Sequence, residues 1–345
     1  MKSGFVDHVA FWAIQHLLSR ARNHRFDVAD LEKFTNEWRG RPVSEFYALP
    51  ERFSVEGEVE RELLKLPKTG RHNVRLPTPA PSAFERNNHI WIEFHLGRPI
   101  TGAPIFFIQH GWRSVSVRGY HSMCRRLNEL GINAGVLHLP YHFSRKPKGS
   151  FNGELAITSD IVRSAHALRQ AVQEACLLKR TLKKIGAPHV GLWGTSYGAW
   201  VSAMAITMEE GFDGALLLEP PVEIEELFWE TPLFSNLQRE LNRLKIARET
   251  VSEFFKWVTP RHHALKIEPS RVLILGSERD PIGYPDSLRK LNRMWPGSYL
   301  EIFPYGHISY RLHTSAVDRF LKVLAPQLQG IKPQPEHASR SVECA

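Results

Sequence analysis

The sequence predicts an α/β protein, with a doubly wound, mostly parallel β-sheet flanked by helices. Short apolar runs recur along the chain, helical stretches separate them, and the composition is that of a globular protein. The 345 residues are 42% hydrophobic and 23% charged, which supplies apolar mass for a large core. This balance excludes collagen, a disulfide scaffold and a chain that is mainly disordered.

The first 87 residues form an extension without the alternation of apolar runs and helices that predicts the sheet. Phe5, Val9 and Trp12 fall at i, i+4 and i+7, which predicts a helix over residues 5–25. We expect this helix to dock on the body of the protein, with contact to a membrane surface or a partner as the alternative. Four prolines in residues 67–82 predict an extended lead-in segment.

Seven apolar runs after this extension predict strands. Runs of this length without polar alternation are typical of parallel strands that are covered on both faces. They occupy residues 90–94, 105–108, 134–137, 190–193, 215–218, 272–275 and 299–303. Helices are predicted between them, over residues 160–185, 197–208 and 285–294.

Residues 221–270 interrupt this alternation and are predicted to form a helical lid over the strand ends. Their apolar residues recur at a spacing near 3.6, which indicates one amphipathic helix. These residues are Leu237, Leu241, Leu244, Val251, Phe254, Phe255 and Val258. The predicted units are an extension (1–87), a core in two parts (88–220 and 271–328), the lid (221–270) and a disordered tail (329–345).

Cysteine usage and the N-terminus predict a cytoplasmic protein. Cys124, Cys176 and Cys344 are odd in number and form no C-x-x-C pattern, which favours a reducing compartment. The first residues show no secretory signal, and the uncharged run over residues 186–208 is interrupted by glycines and a proline. We therefore interpret that run as strand, turn and helix rather than as a membrane span.

The positive charge is concentrated in one segment. The net charge is +9, and residues 110–150 carry seven Lys or Arg against the single acid Glu129. The segment is interpreted as a solvated face or as an entrance that attracts an anionic substrate. No nucleic-acid-binding motif accompanies it, so nucleic acid is not expected as a partner.

The most specific motif is Gly194-Thr-Ser-Tyr-Gly198, which matches G-x-S-x-G between a predicted strand and a predicted helix. Ser196 must sit on a sharp turn to project its hydroxyl, and side chains at the two glycine positions would collide with neighbouring backbone. The following helix directs its N-terminus towards developing negative charge. The pattern predicts Ser196 as a nucleophile; the alternative is a buried turn serine.

A serine nucleophile needs a base, and the base needs an orienting acid. Asp280 follows one predicted strand and His307 follows the next, directly after a glycine. The sequence therefore predicts His307 as the base and Asp280 as the acid. Three other carboxylates remain alternatives for the acid: Glu278, Asp286 and Glu219.

Backbone donors for an oxyanion are expected on both sides of the nucleophile. One is the N–H of Tyr197, and the other is the N–H of Trp112, after the strand that ends in His110-Gly111, with Arg113 as a substitute. The basic segment contributes four candidate substrate-binding residues, and their charge predicts a preference for anionic acyl substrates. These are Arg113, Tyr141, His142 and Arg145.

With these residues in order, residues 88–326 resemble the α/β-hydrolase superfamily. The resemblance rests on His110-Gly111, the turn at Ser196, Asp280 and Gly306-His307. It implies an eight-stranded sheet, a Ser-His-Asp triad and hydrolysis of esters, thioesters or amides through an acyl-enzyme, with no cofactor or metal. The loop after Gly111 departs from the usual glycine-rich pattern, which leaves the second oxyanion donor open.

Two other functions remain open at this point. Acyl transfer to an alcohol or thiol would suit a site from which Trp112, Trp193 and Trp200 exclude water. A catalytically silent scaffold would use the same fold to bind a partner. A small-molecule acyl substrate is the partner that the motifs favour.

Overall fold

The computed structural model describes residues 28–50, 55–158, 160–231, 234–307 and 310–328. A single eight-stranded sheet runs through them in the order β1-β2-β4-β3-β5-β6-β7-β8. The first two pairings, β1 with β2 and β2 with β4, are antiparallel, and all the others are parallel. The strands are β1 (Gly70–Pro77), β2 (His89–Leu96), β3 (Ile105–Gln109), β4 (Asn133–His138), β5 (Val190–Thr195), β6 (Gly214–Leu218), β7 (Val272–Ser277) and β8 (Tyr299–Phe303).

The seven predicted strands are β2 to β8, and β1 is an addition. A proline at its end and several polar residues obscured it in the sequence; both occur because β1 lies at the sheet edge, pairs with β2 alone and exposes much of one face. An edge strand tolerates both features, since one side of its backbone needs no partner. The sheet therefore begins at Gly70, inside the segment that the sequence assigned to the extension.

Helices cover both faces of the sheet. The described residues contain α1 (Val28–Trp38), α2 (Val43–Tyr47), α3 (Glu56–Leu64), α4 (Arg118–Glu129), α5 (Ile161–Lys184), α6 (Tyr197–Met208), α7 (Ile224–Glu230), α8 (Ser235–Arg243), α9 (Arg248–Phe255), α10 (Pro285–Met294) and α11 (Tyr310–Leu328). The side chains of α4 and α11 pack in a core on one face, and those of α5, α6 and the helices around them pack on the other. The doubly wound arrangement is confirmed.

Segment 221–270 differs in detail from its prediction. It forms three short helices, α7 to α9, instead of one long amphipathic helix. The break after α8 is set at Lys245, whose φ of 55° lies in the left-handed region. The N–H of Ile246 donates to the carbonyl of Leu241 at 3.1 Å, which satisfies an end of α8 that would otherwise lack a partner.

Several predictions fall on parts of the chain that the structure does not describe. The helix over residues 5–25, the tail over 329–345 and Cys344 lie outside the described residues. Cys124 and Cys176 are buried free thiols. None of the described helices combines the length and apolar composition needed to cross a membrane.

Candidate active site

Ser196 occupies a strained turn between β5 and α6. Its φ of 51° and ψ of −115° lie in a region that residues with a side chain rarely adopt. The two flanking glycines are sterically required: a Cβ on Gly194 would lie 2.4 Å from Ala199 Cα, and one on Gly198 would lie 2.1 Å from the carbonyl oxygen of Gln109. The turn therefore has the geometry that the motif predicts.

A continuous chain of hydrogen bonds joins Ser196, His307 and Asp280. Ser196 Oγ lies 2.9 Å from His307 Nε2, and His307 Nδ1 lies 2.8 Å from Asp280 Oδ2. Because a carboxylate only accepts, Nδ1 carries the proton and Nε2 is left to accept the serine hydroxyl. The other oxygen of Asp280 accepts the N–H groups of Ile282 (2.7 Å) and Gly283 (3.1 Å), which orients the carboxylate.

A second buried carboxylate, that of Glu219, lies behind the same imidazole. Its Oε2 is 3.8 Å from His307 Nδ1, and its Oε1 accepts the Ser277 hydroxyl at 2.7 Å. Glu219 follows β6, is 2% exposed and has a φ of 52°. Of the carboxylates considered from the sequence, Asp280 is within hydrogen-bonding distance and Glu219 is adjacent. The other two, Glu278 and Asp286, are exposed.

The loop after β3 brings Trp112 beside the nucleophile. A Cβ built on Gly111 would lie 3.7 Å from Ser196 Cβ, which is ordinary contact, so Gly111 is close to the serine without being sterically obligatory. The N–H of Arg113, the substitute oxyanion donor considered from the sequence, donates to His142 Nε2 at 3.3 Å. It is therefore already paired within the protein. Trp112 and Tyr197 line the same pocket as Ser196.

His142 was predicted to contact substrate, but it is buried and contacts this loop from the interior of the protein. It is fully buried, its Nδ1 bonds to the carbonyl of Pro140 at 2.8 Å, and its ring stacks on Tyr197. Burial lowers the pKa of His142 to about 3, so its Nε2 keeps the lone pair that accepts Arg113 N–H. His142 therefore positions the loop.

The predicted role of Arg145 in substrate binding is wrong. Arg145 is 0% exposed, and its guanidinium donates to both oxygens of Glu174 at 2.6 and 2.7 Å. It also donates to the carbonyls of Asn87 and His138. A buried charge must be paired, so the cation that the sequence assigned to the entrance is held inside the protein.

Tyr141 also lies in the interior, whereas Arg113 lies beside the pocket. Tyr141 is 4% exposed, and its ring packs against Phe84. The Arg113 guanidinium lies 5.0 Å from the centre of the Trp112 ring, and its Nε and Nη2 are buried without a hydrogen-bond partner in the described chain. Of the four predicted substrate-binding residues, Arg113 is the one whose charge adjoins the wall of the pocket.

The pocket above Ser196 is apolar. Its empty volume, counted together with adjoining space open to solvent, is about 790 Å³. No charged side chain is among the described residues that line it. Much of its wall comes from segment 221–270, through Leu227, Phe228, Phe234, Leu237, Phe254 and Phe255. Trp112 and Trp200 also line it, whereas Trp193 is buried in the core on the opposite face of the sheet.

Comparisons with known proteins identify similar folds at low sequence identity. No protein-family model matches the chain, and neither does any curated protein. An acetyl xylan esterase from Paenibacillus sp. R4 is 14% identical, with a TM-score of 0.56 over 84% of this chain and 100% of the esterase. Acetyl xylan esterase 1 from Thermoanaerobacterium sp. JW/SL YS485 is also 14% identical, with a TM-score of 0.54 over 83% of this chain and 98% of that one.

A puromycin hydrolase is similar over part of its length. It is 14% identical to this chain, with a TM-score of 0.54 over 76% of this chain, which spans 40% of the hydrolase. At this level of identity the three likenesses concern the fold. Together with the strand order and the turn at Ser196, they define a protein with the α/β-hydrolase fold.

Proposed function

We propose that this protein is a serine hydrolase that cleaves a carboxylic ester through an acyl-enzyme intermediate. The observation that carries the proposal is the chain of hydrogen bonds from Ser196 Oγ through His307 to Asp280, which begins at a strained turn. Three side chains that are distant in sequence meet in the order and orientation that nucleophilic acyl transfer requires. The esterase and hydrolase names of the similar structures support this class of reaction.

The mechanism follows from which atoms donate and which accept. His307 Nε2 takes the proton of Ser196 as the hydroxyl attacks the ester carbonyl, and Asp280 stabilises the resulting imidazolium through Nδ1–H. His307 then protonates the leaving alcohol, and the acyl group stays on Ser196. In the second half, His307 accepts a proton from water as the water oxygen attacks the acyl carbonyl; the bond to Ser196 Oγ then breaks, the acid leaves, and His307 returns the proton to Oγ.

We assign the oxyanion to the backbone N–H groups of Tyr197 and Trp112. Tyr197 is the first residue of α6, where N–H groups lack partners within the helix and the helix dipole favours negative charge. Trp112 precedes Arg113, whose own N–H is held by His142. Removing an oxyanion donor typically costs about 10²–10³-fold in kcat, so the position of this loop matters for the rate.

The lining of the pocket favours an apolar acyl group. Each buried CH₂ contributes about 0.8 kcal/mol, so the wall from α7 to α9 favours chains longer than acetyl. The preference for anionic substrates that the sequence predicted now depends on Arg113 alone. Comparing neutral and carboxylated esters at two ionic strengths, for wild type and Arg113→Gln, tests that preference; equal ratios in both proteins would remove it.

Labelling by a fluorophosphonate, followed by assays with p-nitrophenyl esters, tests the proposal. We expect one adduct on Ser196 and hydrolysis that is lost in Ser196→Ala, with kcat lower by on the order of 10³-fold or more. Ser122→Ala is the matched control, because Ser122 is an exposed serine on α4. A normally folded Ser196→Ala protein that keeps its activity would refute the assignment.

The ester assay with an added alcohol or thiol, together with the labelling, separates hydrolysis from acyl transfer and from a silent scaffold. Acyl transfer gives an ester or thioester product when an alcohol or thiol competes with water, and Trp112 and Trp200 in the pocket wall favour testing it. A silent scaffold gives no adduct on Ser196. The buried free thiols of Cys124 and Cys176 suit the reducing, cytoplasmic compartment that we propose for the protein.

A further inference from the structure

We propose that Glu93, His95 and His121 form a binding site for a divalent transition metal ion, with zinc as the first candidate. The site lies between β2 and α4, and none of its residues lines the pocket above Ser196. Its metal ligands would be two imidazoles and one carboxylate. This inference is independent of the proposed hydrolase function.

The fold brings the three side chains together from two elements. Glu93 and His95 are two residues apart on β2, so they point to the same face of the sheet. His121 comes from the first turns of α4, which packs over that face. One ligand atom from each of the three residues lies within 4.8 Å of the others. Zinc ligands in a tetrahedral site are separated by somewhat less, so small rotations of the side chains complete the site.

The buried nitrogen of His95 has no partner. His95 Nε2 is inaccessible to solvent and makes no hydrogen bond within the described chain, and the His95 and His121 rings lie 5.1 Å apart. A buried polar atom without a partner costs free energy, which a metal bond would recover.

His121 and Arg71 share one carboxylate oxygen: Glu93 Oε2 lies 2.8 Å from His121 Nε2 and 3.0 Å from Arg71 Nη2. His121 Nε2 also lies 3.2 Å from Arg71 Nη2. If this nitrogen carries a proton it satisfies the carboxylate but opposes the guanidinium, and if it carries a lone pair the reverse holds. A metal ion bound in place of the Arg71 guanidinium would take both the lone pair of His121 Nε2 and the Glu93 oxygen as ligands. The Arg71 side chain is 54% exposed and can turn into solvent.

A fourth residue orients the carboxylate. His138 Nε2 lies 3.1 Å from Glu93 Oε1, the oxygen that does not face His121, and His138 is 6% exposed. Metal-binding carboxylates are commonly held in this way by a hydrogen bond to the other oxygen. Two imidazoles and a carboxylate suit zinc and other transition metals, whereas magnesium and calcium prefer oxygen ligands alone. The remaining coordination position is left to water.

Titration of the full-length chain with ZnCl₂, in competition with a chromophoric chelator, tests the site. We expect one zinc per chain and an affinity that falls at least about 100-fold in His121→Ala, because a ligand contributes more than the residues that only orient it. His72→Ala is the matched control, since His72 is a histidine of the neighbouring strand β1 that lies outside the cluster. Its affinity is expected to equal that of wild type, and MgCl₂ is expected not to compete.

Zinc bound at the candidate active site must be distinguished from zinc bound at the proposed site. Glu219, Asp280 and His307 also bring possible ligand atoms within 4.8 Å of one another, so the titration is repeated in His307→Ala. Stoichiometric binding that survives in His307→Ala and is lost in His121→Ala supports the proposal. Equal affinities in wild type and His121→Ala overturn it, as does a wild-type chain that binds no zinc.

Folding of the variants is checked by their melting temperatures without metal. Glu93→Gln provides a second variant, which keeps the shape of the side chain and removes its charge. We expect zinc to raise the melting temperature of wild type and to leave that of His121→Ala unchanged. A zinc-induced rise of the same size in both proteins would contradict the site.

Discussion

At the scale of single residues, two buried carboxylates lie beside His307. Asp280 accepts the Nδ1 proton at 2.8 Å, and Glu219 Oε2 lies 3.8 Å from the same nitrogen. The second carboxylate is near enough to stabilise an imidazolium and, after a small rotation, to accept its proton. Glu219 is therefore expected to substitute in part for Asp280.

This arrangement predicts a mild effect of Asp280→Asn. In a triad with one carboxylate, the equivalent change costs about 10⁴-fold in kcat because the imidazole adopts the wrong tautomer. Here the loss is expected to be smaller, and Asp280→Asn combined with Glu219→Gln is expected to reach the full loss of about 10⁴-fold. Steady-state kcat on a p-nitrophenyl ester measures both. If the single and double variants are equally impaired, Glu219 plays no part.

At the scale of elements, the contact between β3 and α6 sets the position of the nucleophile. Gly198 in the first turn of α6 packs against the backbone at the end of β3, with no room for a methyl group. The same strand end leads into the loop that carries Trp112. The close packing at Gly198 therefore keeps the two proposed oxyanion donors, the N–H groups of Tyr197 and Trp112, near each other.

Gly198→Ala is expected to destabilise the protein by several kcal/mol, since its Cβ would lie 2.1 Å from Gln109 O and 2.4 Å from Gln109 C. Gly119→Ala in α4 is the control, because its Cβ would meet no atom within 4 Å and alanine is favoured over glycine in a helix by roughly 0.5–1 kcal/mol. Urea unfolding measures both changes. A Gly198→Ala protein as stable as wild type would contradict the packing described.

The helices that line the pocket are expected to limit the length of the acyl group that the pocket accepts. Ala165 on α5 is 1% exposed and lines the pocket, so Ala165→Leu fills part of the space above Ser196. We expect kcat/KM for a long-chain p-nitrophenyl ester to fall at least about tenfold while that for the acetate is retained. The acetate rate and the melting temperature serve as internal controls. An unchanged ratio of the two rates would locate the acyl group elsewhere.

At the scale of the whole molecule, buried histidines make stability sensitive to acid. His110 and His142 are both 0% exposed, and burial lowers the pKa of each: to about 3 for His142 and well below the usual value for His110. The unfolded chain binds these protons near pH 6.5, whereas the folded chain does not. The free energy of unfolding therefore falls as the pH drops from about 6.5 towards the low folded values.

Each such histidine contributes up to about 1.4 kcal/mol of lost stability per pH unit in this window. His142→Gln keeps an acceptor for Arg113 N–H and is expected to flatten the pH dependence by one histidine's share. Urea midpoints between about pH 7 and about pH 5 measure the slope. His72→Gln, a change at a partly exposed histidine of β1, is expected to keep the wild-type slope. A slope in His142→Gln that equals that of wild type would contradict the assignment.

Much of the fold and the candidate triad could be predicted from local patterns. The strands β2 to β8 are continuous apolar runs because both faces of the sheet are covered, and the turn at Ser196 needs glycines at two fixed positions. By contrast, β1 was missed because an edge strand resembles a loop in sequence. The single helix predicted over segment 221–270 was wrong because Lys245 adopts a left-handed conformation that its side chain does not signal.

The positions of β2 to β8 along the chain, the strained serine turn and the histidine after the last strand were determined by the sequence, because local sterics and apolar periodicity act over a few residues. Only the tertiary structure decided where the charges lie. Arg145 is paired with Glu174 inside the protein, and Glu93 meets His95 and His121 across two elements. The partner of a charge is chosen by long-range packing, since desolvation depends on what covers a side chain rather than on its neighbours in the chain.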